Sequence, residues 1–274
     1  ELEKIGVKVR YSFPGLKVHS KTALITRKHG DSTEHYAYLS TGNFHEQTAR
    51  IYVDYGFFTK DEQITQEILR FFNFLESIRL PNAGFKHLLV GQFNLNDEIH
   101  NLIDFEKAQA REGKPASIIL KLNNLQDAEI IDMLYDASNT GVKIKLIIRG
   151  ICCMHIGKKN LSENIEGISI IDRYLEHSRV YYFYHGGEEK IFLSSADWMA
   201  RNLHFRIETA FPIYGPELKK IILDNIEYQW RDNVKARSLH YERLNQYITT
   251  DEKKKFQSQI ETYKYFKETN TLNN

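Results

Sequence analysis

Two histidines in this chain each carry a cation two residues on, across a serine: His19-Ser20-Lys21 and His177-Ser178-Arg179. An imidazole beside a fixed positive charge suits a substrate with phosphate oxygens. The cation holds the phosphate while a ring nitrogen attacks phosphorus or protonates the leaving oxygen. Each histidine is followed by a small-residue loop, Ser40-Thr41-Gly42-Asn43 and Ser194-Ser195-Ala196-Asp197. The loop amides and Asn43 are expected to donate to phosphate oxygens. A carboxylate lies 11 residues beyond each loop, Asp54 after Asn43 and Glu208 after Asp197. These are the candidates to accept the other ring N–H and fix the tautomer. A lone histidine on a strand is commonly structural. The same four parts recurring in one order predict two copies folded against each other around one pocket.

The elements that must position these groups follow from hydrophobic periodicity. Glu1 to Gly6 reads as the last turn of a helix capped by Gly6, with a strand at Val7–Tyr11, as if continuing from a longer chain. Thr22–Thr26 and Tyr36–Leu39 flank a polar turn and predict a hairpin. In a strand, period two would turn His19 and Lys21 to one side, and likewise His177 and Arg179. Ile51–Phe58 reads as one strand carrying Asp54. Asp61–Ile78 has helical spacing, with Thr59 or Asp61 as N-cap. Pro81-Asn82-Ala83-Gly84 breaks the pattern and marks a domain boundary. Beyond it, a helix over 95–112, a strand over 116–121, a helix over 127–139 and a strand over 142–148 suggest parallel pairing. Strands at 168–171, 180–184, 190–193 and 208–214 and a helix over 216–228 follow. The polar tail from Arg231 reads as helical, fraying at Thr269-Asn270.

The bulk composition excludes several classes. A net charge of +1 over 274 residues argues against a broad nucleic-acid surface, though not against a local basic cleft. No apolar run approaches the roughly 20 residues of a membrane helix, and the N-terminus has no signal-peptide core. The two cysteines, Cys152 and Cys153, are adjacent, which suits neither a mutual disulfide nor a zinc site. A reducing, cytoplasmic setting is expected, which leaves room for peripheral attachment to the inner membrane face.

Paired H-x-K motifs resemble the phospholipase D superfamily. Its motif continues with an aspartate five residues after the lysine, where this chain has Thr26 and Tyr184. Lipid hydrolysis is thereby disfavoured. A closer resemblance covers almost the whole chain. Val18-His19-Ser20-Lys21, Ser40-Thr41-Gly42-Asn43-Phe44, Thr48 to Gly56, Leu146 to Cys153, Leu175 to Val180 and Phe192 to Met199 are similar, in order, to polyphosphate kinases.

That resemblance implies an α/β fold of two phospholipase D-like domains, each a mixed sheet flanked by helices, the first truncated at its N-terminus. It would divide the chain into 1–83, 84–240 and a helical tail over 241–274. It implies reversible transfer of the terminal phosphate of ATP to polyphosphate through a phosphohistidine, with His19 as the phosphorylated residue. Tyr52, Arg149 and His177 match the family's ATP-binding positions. Physically, Arg149 closes a strand at the carboxyl edge, where its fork suits phosphate. His177 would steady the leaving oxygen. Lys21, Arg179, Arg50, Arg201 and Arg206 are candidates for the path of the polyanion, some of the arginines pairing with Asp54 or Glu208 instead. Mg²⁺ is expected because phosphoryl transfer needs its charge neutralised, with its ligands outside this chain. The expected partners are ATP or ADP and polyphosphate, no nucleic acid, and further copies of the full-length protein. The chain alone is expected to bind nucleotide weakly and to make little polyphosphate. The competing readings are a phosphodiesterase and a non-catalytic polyanion-binding module.

Overall fold

A computed structural model describes residues 1–11, 15–77, 84–249 and 254–272. Pro81, Asn82 and Ala83 of the expected boundary lie outside these. A turn of 3-10 helix at Leu2–Ile5 ends on Gly6, whose φ of 87° gives the left-handed cap read from the sequence. Val7–Tyr11 is not a strand. It joins no sheet among the described residues and is largely exposed, held by ion pairs from Lys8 and Arg10 to Glu76 rather than by alternation.

The first half contains β1 (Lys17–Val18), β2 (Thr22–His29), β3 (Ser32–Ser40), a short helix α1 (Glu46–Ala49), β4 (Tyr52–Val53), β5 (Gly56–Thr59) and helix α2 (Glu62–Ser77). Strands β2, β3 and β5 form an antiparallel sheet. Asp61, rather than Thr59, caps α2, its carboxylate accepting from the amides of Gln63 and Ile64. The helix buries Ile64, Ile68, Phe71 and Phe74, a stripe at helical spacing.

The second half contains β6 (Leu89–Val90), α3 (Leu95–Arg111), β7 (Ser117–Leu122), α4 (Ala128–Thr140), β8 (Lys143–Ile148), β9 (Ile165–Ile170), β10 (Leu175–Glu176), β11 (Arg179–Phe183), β12 (Lys190–Ser194), α5 (Ala200–Phe205), β13 (Arg206–Ile207), β14 (Thr209–Pro212), α6 (Pro216–Trp230), β15 (Ala236–Ser238) and α7 (Ser258–Leu272). Eight strands form one mixed sheet in the order β15-β9-β8-β7-β11-β12-β14-β6. Its β7-β8-β9 part is parallel, as the strand–helix alternation predicts. Among the described residues the tail is helical only in α7, which continues through Thr269 and Asn270 to Leu272. Residues 231–249 instead lay β15 on the sheet edge beside β9.

Period-two alternation assigns the two sheet faces to different cores. Tyr181 and Phe183 of β11 and Leu146 and Ile148 of β8 pack with α3 and α4. Val180 and Tyr182 of β11 and Ile147 of β8 pack with α6 and with Leu39, Ile64 and Ile68 of the first half. The two halves therefore share a core, and Phe57 stacks on Phe211 across it at 5.9 Å between centroids.

The expected strands over 51–58 and 208–214 are both interrupted, and the interruptions are where the halves exchange partners. Strand β4 pairs parallel with β10 of the second half, while β5 pairs with β3 of its own. Strand β13 pairs parallel with β1 of the first half, while β14 pairs with β12. Asp54 and Glu208 sit at these two handovers. The histidines sit at two more, between β1 and β2 and between β10 and β11.

Candidate active site

Backbone hydrogen bonds lock each histidine to the opposite half. The amides of His19 and Ser20 donate to the carbonyl of Ile207 at 2.8 and 3.2 Å, and those of His177 and Ser178 donate to that of Val53 at 3.1 and 3.0 Å. Each imidazole is thereby brought to the carboxylate that follows its partner strand. His19 Nδ1 lies 2.8 Å from Glu208 Oε2, and His177 Nδ1 lies 2.9 Å from both oxygens of Asp54. Each carboxylate lies within hydrogen-bonding distance of the histidine of the other copy.

The small-residue loops hold those carboxylates. Thr41 Oγ1 donates to Asp54 at 2.6 Å, and Ser195 Oγ donates to Glu208. Asn202 on α5 donates to the second oxygen of Glu208 at 2.7 Å, so this fully buried carboxylate is held on both oxygens. A Cβ at Gly42 would lie 2.3 Å from Asp54 Oδ2, which is why the first loop needs glycine there. Four of the loop amides already have acceptors. Gly42 and Ala196 donate to Ser40 Oγ and Ser194 Oγ, and Thr41 and Ser195 donate to the carbonyls of Tyr55 and Thr209. Those four amides thus serve the loops' own structure, while the amides of Asn43 and Asp197 have no acceptor among the described residues. Asn43 is exposed and its side chain makes no hydrogen bond among the described residues, whereas its counterpart Asp197 is buried.

The two imidazoles differ at Nε2. Arg179 Nη1 lies 3.1 Å from His177 Nε2 and can only donate, so the network assigns the proton to Nδ1 facing Asp54. Burial pushes the His177 imidazole below its ordinary value, and the Arg179 charge adds to this against the raising effect of Asp54. Burial thus favours the neutral form of this ring. His19 Nε2 has no partner among the described residues, and the side chain is 20% exposed. One ring is a held base with a blocked edge, and the other is a held base with an open edge.

The cations divide in the same way. Lys21 is not turned beside His19 by strand periodicity, because both lie in the link between β1 and β2. Its ammonium donates instead to the His19 carbonyl. Burial lowers the Lys21 ammonium to about 8, against the raising pull of Glu208, with Arg179 lowering it further. Arg179 is engaged by Asp197 through Nε and Nη2, both at 3.2 Å. Burial tends to raise the Asp197 carboxyl, but Arg179 and the Asn123 amide bring it below the ordinary range. Arg149, half-buried at the end of β8, donates from Nε to Asn123 Oδ1, and burial weakens its hold on its proton. Tyr52 lies against the His177 ring at 4.8 Å between centroids. Arg50 pairs with Glu46 on α1, and no ion pair joins Arg50 or Arg206 to Asp54 or Glu208. Arg201 is exposed.

Several supporting residues went unread in the sequence: Asn123, Asn202 and Lys121, which bonds Ser178 Oγ at 2.6 Å and Glu176 at 2.9 Å. Lys121 and the Asn123-Asn124 pair had a signal, since they interrupt or close an apolar strand at its carboxyl edge. Among the described residues, no group of three or more His, Cys, Asp or Glu side chains is arranged to hold a metal ion. No helix among them is long and apolar enough to cross a membrane.

Fold and site together define a two-fold repeated α/β protein whose halves exchange histidine–carboxylate partners. Residues 1–81 match the polyphosphate kinase C-terminal domain 1, and residues 88–259 match the polyphosphate kinase C-terminal domain 2. The chain belongs to the polyphosphate kinase family. It is 47% identical over 266 residues to the polyphosphate kinase of Salmonella typhimurium and 45% identical to that of Escherichia coli, in each case over 97% of this chain and 38% of the relative. The crystal structure of polyphosphate kinase from Porphyromonas gingivalis superposes with a TM-score of 0.92 at 43% identity, covering 98% of this chain and 41% of that one. The chain thus spans about two fifths of the length of these relatives. Phosphatidylserine synthase of Haemophilus influenzae shares the fold at a TM-score of 0.54 and 11% identity, covering 87% of this chain and 67% of that one.

Proposed function

We propose that this chain carries the phosphoryl-transfer centre of an ATP:polyphosphate phosphotransferase. His19 Nε2 attacks the terminal phosphorus of ATP. A P–N bond forms, the P–O bond to ADP breaks, and the bond electrons leave with the ADP oxygen. The Nδ1–H keeps its hydrogen bond to Glu208, whose carboxylate stabilises the positive charge that the phosphorylated ring gains. A terminal oxygen of polyphosphate then attacks the same phosphorus and releases His19. The step is reversible because both donors are phosphoanhydrides.

The observation that carries this reading is the open Nε2 of His19 on a ring whose Nδ1 is fixed to a buried, doubly supported carboxylate. A nucleophilic histidine needs one nitrogen oriented and the other accessible. His177 lacks the second property, because Arg179 occupies its Nε2. Neutral His177, with Tyr52 against it and Arg149 nearby, suits the nucleotide side. The buried charges of Lys21 and Arg179, beside the two histidines, would favour the approach of a polyanion.

Mg²⁺ belongs to this chemistry, but the side chains here do not fit it as ligands. Both oxygens of Glu208 are taken by Asn202, Ser195 and His19, and Asp54 is taken by Thr41 and His177. The ion would enter with the nucleotide phosphates.

The test is labelling with γ-³²P-ATP in a full-length kinase whose C-terminal region is this chain. The expected product is an acid-labile, base-stable label on His19 that chases into polyphosphate. A label that is absent, or that persists in His19→Ala, would overturn the reading. A label lost only to water would favour a phosphodiesterase.

A further inference from the structure

Asn123 has all four of its polar groups committed, and three of them reach residues of the cleft. It is buried, in the link that follows β7. Its side-chain oxygen accepts from Arg149 Nε. Its side-chain nitrogen donates to the carbonyl of His177 at 3.0 Å. Its backbone amide donates to Asp197 Oδ1 at 2.8 Å, the carboxylate that holds Arg179. Its own carbonyl accepts from the amide of Gly150 at 2.8 Å, one residue beyond Arg149. The approach there is tight, since a Cβ at Gly150 would lie 2.8 Å from that carbonyl.

These contacts have different consequences. The bond to Gly150 and the bond to Arg149 Nε fix the root and the plane of one guanidinium. The bond to His177 fixes the backbone that carries the imidazole. A single planar amide therefore sets the separation of two side chains that come from different strands, β8 and the β10–β11 link. No other described residue is hydrogen-bonded to both Arg149 and His177. Asn is suited to this because its amide offers an acceptor and a donor in one rigid plane. Neither Asp nor Leu of the same shape offers both.

We propose that Asn123 is a positioning residue for the nucleotide side of the centre, which presents Arg149 and His177 at a fixed spacing to the phosphates of ATP or ADP. This rests on the assignment of those two residues to the nucleotide in the proposed function. Asn123 itself touches no substrate in this role. His19 and Lys21 lie outside its contacts, so the polyphosphate side should not depend on it.

The experiment is a double-mutant cycle in a full-length kinase whose C-terminal region is this chain, read as KM for ADP, KM for polyphosphate and kcat. Asn123→Ala is expected to raise the nucleotide KM about tenfold or more, as loss of an orienting partner does elsewhere, and to move the polyphosphate KM less than about twofold. In an Arg149→Ala background the same change should add less than about threefold, because only the part of its effect that acts through the His177 backbone is left. If Asn123→Ala does not fold, Asn123→Asp, which keeps the shape but sets an oxygen against the His177 carbonyl, carries the same cycle. Equal effects with and without Arg149, or equal rises in both KM values, overturn the proposal while leaving the function intact. A nucleotide KM unchanged by both Arg149→Ala and His177→Ala overturns the nucleotide assignment, and this proposal with it.

Discussion

Nδ1 of His19 lies 2.8 Å from a carboxylate oxygen of Glu208, 189 residues further along the chain, while Asp54, only 35 residues away, serves His177 instead. The cause is strand exchange. Because β1 lies parallel to β13 and β4 lies parallel to β10, the residue after each histidine strand meets the residue after the opposite carboxylate strand. Neither His19 nor His177 is held by a carboxylate of its own half. Formation of the centre is thereby tied to docking of the halves, and the shared core of Leu39, Ile64 and Ile68 with Val180 and Tyr182 stabilises the same arrangement.

Exchange of partners makes the two carboxylates separable by mutation. Glu208→Gln should slow phosphorylation of His19 on the order of 10²–10⁴-fold, because the ring loses the charge that stabilises its cationic form. Asp54→Asn should act on His177, and so on nucleotide KM and release, while a phosphohistidine still forms. Rapid-quench labelling of each variant with γ-³²P-ATP checks this. A deeper loss of His19 label in Asp54→Asn than in Glu208→Gln would contradict the cross-pairing.

Much of this site was legible in the residues, and what was not has a physical reason. The repeat identified both histidines, both carboxylates and the loops, because chemistry at one cleft constrains residue type and order. The helices at 61–78, 95–112 and 127–139 were legible from spacing, since a helix is a local structure with its own caps at Asp61 and Asp127. The strand breaks at Asp54 and Glu208 were not. A change of hydrogen-bonding partner leaves no mark on an alternating pattern, so 51–58 read as one strand. For the same reason Lys21 was placed on the His19 side by periodicity that the link between β1 and β2 does not obey. The tail was read correctly as helix over 258–272, but its start was misread because Ala236–Ser238 is too short to show a period, and its pairing with β9 is set by the tertiary structure alone.

Lys21 gives the centre a pH dependence on the alkaline side. Its ammonium is lowered by burial to about 8, so it loses its charge as the pH rises through that value. If this charge attracts the polyanion, affinity for polyphosphate falls above pH 8, and binding there takes up protons. The folding contribution has the opposite sense. Between about 8 and the unfolded value of 10.5 the unfolded chain binds more protons, so this group makes the fold more stable as the pH rises. Lys21→Arg should remove the affinity step, because arginine stays charged. Polyphosphate binding followed by calorimetry between pH 7 and 10 in two buffers tests it. An unchanged step in the variant would assign the effect elsewhere.

Stability should depend on a carboxylate far from the chemistry. Glu67 of α2 is buried and accepts from the amides of Lys86, His87 and Leu88 at 2.7, 3.1 and 2.8 Å, tying the first half to the start of β6. Glu67→Ala leaves three amides without an acceptor, which should cost about 2–4 kcal/mol. Glu67→Gln, with one accepting oxygen left, should cost less. Urea denaturation of the two variants measures the difference. A loss below about 1 kcal/mol for the alanine variant would mean that water replaces the carboxylate there.

Asn202 provides the most selective test of how Glu208 is held. Its amide nitrogen lies 2.7 Å from Glu208 Oε1, on the side away from His19, and it is buried with its own oxygen unpaired among the described residues. Asn202→Ala removes one of three donors to the carboxylate and should slow phosphorylation of His19 about tenfold with the fold intact. Asn202→Asp sets a second carboxylate against the first in a buried space. Two such groups cannot both ionise, so a proton is retained between them well above the ordinary carboxylate range. That proton weakens the acceptor that His19 needs. The aspartate variant should therefore be slower than the alanine variant near neutral pH and should recover as the pH rises and the shared proton leaves. The pH profile of His19 labelling in the two variants separates loss of a hydrogen bond from loss of charge on Glu208. Parallel profiles would show that Asn202 only fills space beside α5.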